Sequence, residues 1–390
     1  MNDPLTNQQN RRLLSLDILR GITIAGMIMV NNPGSWSCVY APLRHAQWHG
    51  LTPTDLVFPF FMFIMGVSMH LSLKKYDFRA TRTSLWKIVR RTLLIFLIGI
   101  ALGWFGKLCR GLAAGETFAV AATHFDTLRI PGVLQRLALA YGFAALCAIL
   151  IPAKRLIWVI SALLFGFFLL LLFGNGFELS EQNIIAVIDR ALLGSDHLYR
   201  DVTSGGEQIA FDPEGLLSTL PSIAHVLIGF LCGGIIARNK DNHTRVERLL
   251  LWGTLLAFSG LLLQYGCPIN KKIWSPTFVL VTCGFGAQLF GIMIRIIDIR
   301  KKEKWSRFFH AFGVNPLIIF VFAGILANLF ANIRFPYKGE MRSIHAFLYS
   351  VLLQPWAGNH FGSLLYAFLF IGICWSFGYL LYKKKIFIKI

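Results

Sequence analysis

Apolar runs long enough to cross a lipid bilayer occupy most of this sequence. A transmembrane helix needs about 20 mostly apolar residues, because each residue advances it by about 1.5 Å. The composition agrees, since 55% of the residues are hydrophobic and only 15% are charged, whereas soluble domains carry about 25% charged residues. We therefore predict an all-α polytopic membrane protein and exclude soluble, collagen-like, disordered and disulfide-stapled classes.

Ten runs meet the length criterion and predict about ten transmembrane helices in a single domain, 1–390. A further apolar run, 343–353, is too short to cross and predicts a re-entrant or interfacial helix. Asn315-Pro316 predicts a local opening of the ninth helix. The predicted spans are 14–32, 54–73, 86–106, 130–151, 155–173, 216–237, 249–266, 276–297, 308–331 and 361–382.

The distribution of Lys and Arg predicts the orientation of these helices. With the N-terminus inside, the inner connections hold more than twice as many Lys and Arg residues as the outer ones, in keeping with the positive-inside bias. Both termini are therefore predicted to be cytoplasmic, in a multi-pass protein of the plasma (inner) membrane. The same bias explains the net charge of +19. Nucleic-acid binding is excluded, because no basic, aromatic-rich soluble segment is available to carry it.

The longest predicted outer connection, 174–215, is rich in acidic residues and ends with Asp212 and Glu214. Its length suits a lid or a substrate-facing rim, and a plain solvated loop is the alternative. The 7 cysteines are scattered along the chain and form no CxxC pair. Their spacing therefore predicts neither a disulfide framework nor a zinc site.

Asp17, Arg20 and Arg136 are ionisable residues within predicted spans, where a charge is costly unless it is paired or faces a polar interior. Asp17 and Arg20 are three residues apart, so they share one face of the first helix and can pair. Arg136 lies in the fourth span. Two interpretations stay open for these residues: a structural ion pair, or a polar wall around a ligand whose phosphates suit the arginine fork.

A polar loop follows the first span, which ends at Asn31-Asn32-Pro33-Gly34. The loop brings His45, His49 and Asp55 within eleven positions of one another. The threonines beside Asp55 can cap the second helix, whose first turn favours a carboxylate. Two histidines four residues apart could share a metal on a helix, but the neighbouring Pro and Gly residues argue against a helix here. No metal site is therefore predicted.

A set of sequence strings resembles the heparan-alpha-glucosaminide N-acetyltransferase family, within the transmembrane acyltransferases. The strings occur in the family's order and, with weaker similarity through WSPTFVL and GVNPL, cover nearly the whole chain. Animal members carry an additional lumenal N-terminal domain and span. They also have Asn at the position of His49, which counts against His49 as the catalytic residue. The matching strings are RLLSLDILRG from Arg12, VNNPG, HAQWHGLTPTDLVFPFFMFIMG from His45, RIPGVLQRL from Arg129, and FDPEGLLSTLPSI.

The resemblance implies an enzyme that moves an acetyl group from cytoplasmic acetyl-CoA to the amine of a terminal glucosamine on the other side. His45 stands at the position of the family's catalytic histidine, and Asn31 at that of a carboxamide near it. A histidine can remove a proton from the amine near neutral pH, and the Asn31 amide can stabilise charge on the carbonyl oxygen. Asp55 is the third predicted catalytic residue. Direct transfer and an acetyl-histidine intermediate both stay open.

The other candidate residues follow from charge and from the predicted side of the membrane. No metal cofactor is expected, and a homodimer is left open. Two further functions also stay open: a transporter of an amino sugar or its N-acetyl form, and an O-acetyltransferase of envelope glycans. Expected to contact an amino sugar or glycan end are Trp48, Asp212 and Glu214, and expected to bind acetyl-CoA are Arg20, Arg136, Arg90 and Arg91.

Overall fold

The computed structural model describes residues 13–203 and 205–388; Arg12, which begins the first motif, lies outside them. Within these residues nine helices are long and apolar enough to cross a membrane, and a bent pair raises the number to ten if it forms one span. The described strands form two short two-stranded hairpins. The prediction of an all-α multi-span membrane protein is therefore confirmed.

The long helices lie close to the apolar runs of the sequence. Arg82–Ala113 and Asn359–Lys383 extend beyond their runs at both ends, because polar and charged residues continue the helix into the interface. Leu14–Asn31, Val133–Leu150 and Leu156–Phe173 lie within theirs. The long helices are α1 (Leu14–Asn31), α2 (Pro53–Leu73), α3 (Arg82–Ala113), α5 (Val133–Leu150), α6 (Leu156–Phe173), α8 (Thr219–Arg238), α9 (Asn242–Leu263), α10 (Pro276–Met293, continued by a π-helical turn, Ile294–Ile299), and α15 (Asn359–Lys383).

Short elements fill the connections between the long helices. The segment predicted to be re-entrant or interfacial is helical over 344–357, as α13 (Ile344–Ala346), a π-helical stretch (Phe347–Leu353) and α14 (Gln354–Ala357). The acidic connection folds into a helix and a hairpin rather than an open loop. The other short elements are α4 (Phe118–Ala121), α7 (Ile184–Leu193), β1 (Arg200–Val202), β2 (Gln208–Ala210), β3 (Arg334–Tyr337) and β4 (Glu340–Ser343).

The predicted opening of the ninth span is a sharp break between two helices. α11 (Arg307–Val314) and α12 (Pro316–Asn332) meet at an angle of 78°. Pro316 begins α12, where its missing N–H costs nothing. Asn315 fixes the break, because its amide nitrogen donates to the carbonyl of Ile386 at 2.8 Å and its oxygen accepts from the N–H of Ile388 at 2.9 Å.

Helices α8, α10 and α5 are the most deeply buried of the described spans, and α2 packs against α8. α2 and α8 approach closely because glycines face the partner backbone at Gly66 and Gly229. A Cβ at Gly66 would lie 2.2 Å from the carbonyl oxygen of Val226, and one at Gly229 would lie 2.3 Å from that of Phe63. Small residues allow such contact between membrane helices, where packing replaces the hydrophobic effect as the driving force.

The connections between spans divide the molecule into two faces. The N-terminus of α1 and the C-terminus of α15 lie at the same face, which we call the basic face because many Lys and Arg residues flank it. The charge bias predicts that this face is cytoplasmic. It carries connections 74–81, 151–155, 239–241 and 300–306; the opposite face, called the loop face, carries 32–52, 114–132, 174–218, 264–275 and 333–358.

Candidate active site

His45 and Asp55 form a hydrogen-bonded pair at the loop face. The Nδ1 atom of His45 lies 2.6 Å from Oδ1 of Asp55. Asp55 is in the first turn of α2, where its Oδ2 accepts from the N–H of Thr52 and from the N–H of Ala46, both at 3.1 Å. The sequence thus places Asp55 at a helix start, and the helix start orients its carboxylate toward the loop that carries His45.

The carboxylate determines which nitrogen of His45 is available. A carboxylate accepts hydrogen bonds, so Nδ1 of His45 carries the proton and the lone pair of the ring lies on Nε2. The side chain of Asp55 is 1% exposed, whereas that of His45 is 41% exposed. A buried carboxylate behind a half-exposed imidazole is the arrangement that holds a general base in one tautomer and stabilises its protonated form.

Lys271 is a third member of this cluster that the sequence reasoning missed. Its Nζ atom lies 3.0 Å from Nδ1 and 3.3 Å from Nε2 of His45, and 3.7 Å from Oδ1 of Asp55. Burial lowers the pKa of Lys271, and the negative charge of Asp55 opposes this shift. The available signal was a Lys pair in the short connection 264–275, on the side otherwise poor in positive charge.

The Lys271 backbone is fixed by its buried neighbour Asn270. The N–H of Asn270 donates to Oγ of Ser275 at 3.0 Å, and the Asn270 side-chain oxygen accepts from the N–H of Ile273 at 3.2 Å. The Asn270 amide also lies 3.4 Å from Nδ1 of His49. Because Asn270 ties this turn together, Lys271 extends from a rigid base toward His45.

Trp48 joins the His45 loop to the acidic connection. Its indole nitrogen donates to the carbonyl of Phe177 at 2.7 Å, and its ring packs edge-on against Phe211, with 5.5 Å between the centroids. His49 lies beside it and is exposed. Partial burial lowers the pKa of His49. The contacts of Trp48 fix the position of the loop that holds His45.

Asp212 and Glu214 are engaged by Arg129. The two ends of the Arg129 guanidinium donate to Asp212 at 2.8 and 2.6 Å, and one of them also donates to Glu214 at 2.5 Å. Burial by itself lowers the pKa of Arg129, but the bonds with Asp212 and the charge of Glu214 raise it above its usual range. Asp212 is completely buried, so of the two carboxylates only the part-exposed Glu214 is open to a ligand.

Arg136 lies one turn below the loop face, away from the arginines with which the sequence grouped it. It is 1% exposed, donates to Oγ of Ser218 and to the carbonyl of Gly215, and lies over the ring of Trp274 at 5.0 Å from the centroid. Two of its nitrogens, Nε and Nη1, have no hydrogen-bond partner among the described residues. Its position puts it nearer to the His45 cluster than to the basic face.

Arg20 lies in the half of the bundle toward the basic face and pairs with Asp17 at 3.2 Å, as the spacing in the sequence predicts. It also donates to the carbonyl of Gly313 and, at 2.8 Å, to Oγ of Ser68. These bonds tie α1 to α2 and α11. The other two predicted cofactor residues are on α3, where Arg90 is exposed and Arg91 lies over the ring of Tyr141.

Asn31 is the last residue of α1 and is exposed. In the part of the chain that the structure describes, no hydrogen bond joins it to His45. Both residues lie at the loop face, but Asn31 ends α1 whereas His45 lies within the loop 32–52. The structure therefore brings together His45, Asp55 and Lys271 and leaves Asn31 at the rim of this face.

A basic cavity opens between the ends of α2, α5 and α8 at the basic face. Its volume is about 400 Å³, and its lining includes His70, Lys74 and Arg238. His70 is buried, and its Nδ1 atom has no hydrogen-bond partner within the described ranges. These three residues were not among the sequence-predicted candidates, since each reads separately as a charge or histidine at a helix end.

No group of three or more His, Cys, Asp or Glu side chains within 13–203 and 205–388 is arranged to hold a metal ion.

Comparison with known proteins gives two curated relatives that match nearly the full chain, and no family model matches it. Heparan-alpha-glucosaminide N-acetyltransferase from Homo sapiens is 28% identical over 433 residues, and the protein of the same name from Mus musculus is 27% identical over 430 residues. The chain is a family-level relative of these N-acetyltransferases. The resemblance predicted from the motifs is confirmed.

The match is asymmetric in coverage. Each alignment includes 97% of this chain but 60% of the relative. The chain therefore spans about three fifths of the length of the N-acetyltransferases that it matches. Their names describe the transfer of an acetyl group to heparan-alpha-glucosaminide by the full-length relatives.

Proposed function

We propose that this chain is a transmembrane acetyltransferase that moves an acetyl group from acetyl-CoA to the amine of a glucosamine-type sugar at the loop face. The observation that carries the proposal is the His45–Asp55 hydrogen bond of 2.6 Å, in a relative of N-acetyltransferases. A half-exposed histidine backed by a buried carboxylate suits proton removal from an incoming amine. We further propose that the basic face is cytoplasmic and that the membrane is the plasma (inner) membrane.

The donor is proposed to bind from the basic face. Acetyl-CoA carries several phosphates that cannot enter hydrocarbon, and Lys74 and Arg238 supply positive charge at the basic cavity. Along α2, His70 is fifteen residues from Asp55, which corresponds to roughly 22 Å at 1.5 Å per residue. A long pantetheine arm is the part of the donor suited to cover that separation. We propose that Arg20 and Arg91 line the channel that holds this arm and that Arg136 lies at the end of the channel nearest His45.

The chemical step is proposed to use Nε2 of His45 as the base. The amine nitrogen forms a bond to the thioester carbon, and its proton passes to Nε2. The tetrahedral intermediate then collapses, the carbon–sulfur bond breaks, and the imidazolium returns the proton to the leaving thiolate. The buried Asp55 stabilises the imidazolium during this interval. In the alternative route, Nε2 attacks the thioester carbon and the carbon–sulfur bond breaks, which gives acetyl-histidine and a thiolate. The sugar amine then bonds to the acetyl carbon as the Nε2–carbon bond breaks, and its proton passes through Nε2 to the thiolate.

The acceptor is proposed to bind between the His45 loop and the acidic connection. Glu214 is the part-exposed carboxylate there, with a side chain that is 15% exposed. An amino sugar is a cation before it loses its proton, so a carboxylate near His45 favours its approach. Trp48 offers a ring edge to the sugar, while Asp212 acts by holding Arg129. Asn31 stays a predicted hydrogen-bond donor at the rim, and a homodimer stays a prediction.

The test is acetyl transfer by purified protein in lipid nanodiscs, with acetyl-CoA and glucosamine as substrates. We expect wild-type protein to form N-acetylglucosamine and His45→Ala to lose at least 100-fold in rate, the lower range for a general base. His49→Ala is the matched control, because it removes an exposed histidine four residues away in the same loop and is expected to keep the rate. A His45→Ala protein as active as wild type would remove His45 from the mechanism.

The second candidate function is transport of the amino sugar or its N-acetyl form. The observation that favours it is the 78° break between α11 and α12, since transporters often use discontinuous helices. Uptake of labelled sugar into proteoliposomes without acetyl-CoA would support transport. Acetyl esters rather than amides on envelope glycans would instead support O-acetylation by the same site.

A further inference from the structure

We propose that Lys271 is a second catalytic residue, whose ammonium stabilises the negative charge that develops on the acetyl carbonyl oxygen during transfer. The inference rests on the proposed acetyltransferase function and assigns the group that stabilises the oxyanion. The sequence had given this role to the amide of Asn31. The geometry points instead to a part-buried cation beside the imidazole.

The first observation is the position of Nζ of Lys271. Nζ of Lys271 lies 3.3 Å from Nε2 of His45, the atom that carries the lone pair. A carbonyl carbon attacked beside Nε2 therefore has its oxygen within reach of Nζ. Stabilising groups act on a developing oxyanion from about 2.7–3.1 Å, and the flexible stem of a lysine covers this small difference.

The second observation is that Lys271 is weakly neutralised. Among the described residues, Asp55 is the carboxylate within 4.0 Å of its Nζ, and the separation is 3.7 Å. Asp55 is already bonded to His45 through Oδ1, and to Thr52 and Ala46 through Oδ2. The acceptor positions of the Asp55 carboxylate are thus largely occupied by other donors. The charge of Lys271 stays available to a ligand at the mouth of the site.

The third observation is the contrast with the adjacent lysine. Nζ of Lys272 lies 2.5 Å from Oδ2 of Asp201, an ordinary ion pair with the hairpin β1–β2. Lys271 turns to His45, whereas Lys272 turns to the acidic connection. Two lysines in one rigid turn therefore have different surroundings, and Lys272 is a matched control for Lys271.

The bond changes leave Lys271 unaltered over the cycle. When the amine attacks, the carbonyl pair moves to oxygen, and Lys271 donates a hydrogen bond to that oxygen without giving up its proton. The pair returns as the carbon–sulfur bond breaks. The proton released by the amine passes through Nε2 of His45 to the thiolate, so protons and charges balance without another reactant.

The experiment compares Lys271→Met, Lys271→Arg and Lys272→Met in nanodiscs. We expect kcat to fall between 100- and 1,000-fold in Lys271→Met, the usual loss when one oxyanion donor is removed, with little change in either KM. Lys271→Arg keeps a displaced charge and should lose about tenfold less. Lys272→Met should retain kcat.

The outcomes separate the inference from the function on which it rests. Active wild-type protein together with a Lys271→Met kcat within threefold of it overturns the inference alone. An equal loss of kcat in Lys272→Met also overturns it, because general damage to the turn then explains the loss. Wild-type protein without any acetyl transfer, in a correctly folded sample, overturns the proposed function and the inference together.

Discussion

Replacement of Asp55 by Asn tests the link between the fold and the chemistry most directly. Asp55 accepts four hydrogen bonds in the structure: from His45 at 2.6 Å, from the N–H of Ala46 and of Thr52 at 3.1 Å, and from the Thr52 hydroxyl at 2.9 Å. An amide of the same shape has one oxygen and one NH₂ group. Either the helix start or the imidazole must therefore face a donor instead of an acceptor.

The expected losses of kcat and of stability depend on whether the amide oxygen of the variant faces the helix start or His45. If the oxygen stays with Thr52 and Ala46, the NH₂ group faces Nδ1 of His45 and forces the proton to Nε2, which removes the base. The same tautomer error in a serine protease costs about 10⁴ in kcat. If the oxygen turns to His45, the NH₂ group opposes two N–H donors at the start of α2, a loss of about 1–3 kcal/mol in stability.

The assay measures both quantities on the same protein. We expect Asp55→Asn to lose between 10³- and 10⁴-fold in kcat, with a modest fall in the thermal unfolding midpoint. Asp241→Asn is the control, because Asp241 caps α9 by accepting from the N–H of Thr244 at 2.8 Å, far from the candidate site. It should affect stability slightly and kcat not at all. An Asp55→Asn protein that keeps a tenth of wild-type activity would refute the role given to this carboxylate.

Three further predictions concern the donor cavity, the helix packing and the pH dependence. The double variant Lys74→Gln/Arg238→Gln should raise KM for acetyl-CoA at least tenfold and leave KM for the acceptor unchanged; an unchanged donor KM would place the donor elsewhere. Gly229→Ala, whose Cβ would lie 2.3 Å from a carbonyl oxygen of α2, should lower the unfolding temperature, while Gly372→Ala, with nothing within 4 Å, should not; equal midpoints would contradict the close approach. Burial raises the pKa of Asp189 to about 6 from 3.8, so the folded protein favours the protonated form and loses about 3 kcal/mol as the pH rises from about 4 through 6. Asp189→Asn should abolish this part of the pH dependence of thermal unfolding, and an identical pH profile in the variant would count against the shift.

The fold was largely accessible from the sequence because membrane spans are a local property. A run of about 20 apolar residues has few alternatives in lipid, where every backbone group must bond within its own helix. The helix break at Asn315 and the helix start before Asp55 were predicted for similar reasons, since Pro316 and the threonines act over one turn. The ion pair of Asp17 and Arg20 followed from the helical spacing alone.

The candidate site was accessible only in part. Motifs and local patterns identified His45 and Asp55, which are ten residues apart. Lys271 lies more than two hundred positions further along the chain, and only the packing of α10 against α2 brings its connection to the same place. Arg136 was predicted, with Arg20, Arg90 and Arg91, to bind acetyl-CoA because of its charge. Its position in the first turn of α5 puts it near the loop face.

The sequence by itself determined that this protein folds in a lipid bilayer, how many long helices it has and approximately where they begin and end, and which of its two faces is basic. These properties depend on residues that are near one another along the chain. The tertiary structure decided which charges meet. It pairs Asp212 with Arg129, turns Lys271 toward His45 while Lys272 turns to Asp201, and gathers Lys74 and Arg238 around one cavity. Such pairs depend on how helices distant in sequence pack, and electrostatic interactions act over a few ångströms in space regardless of separation along the chain.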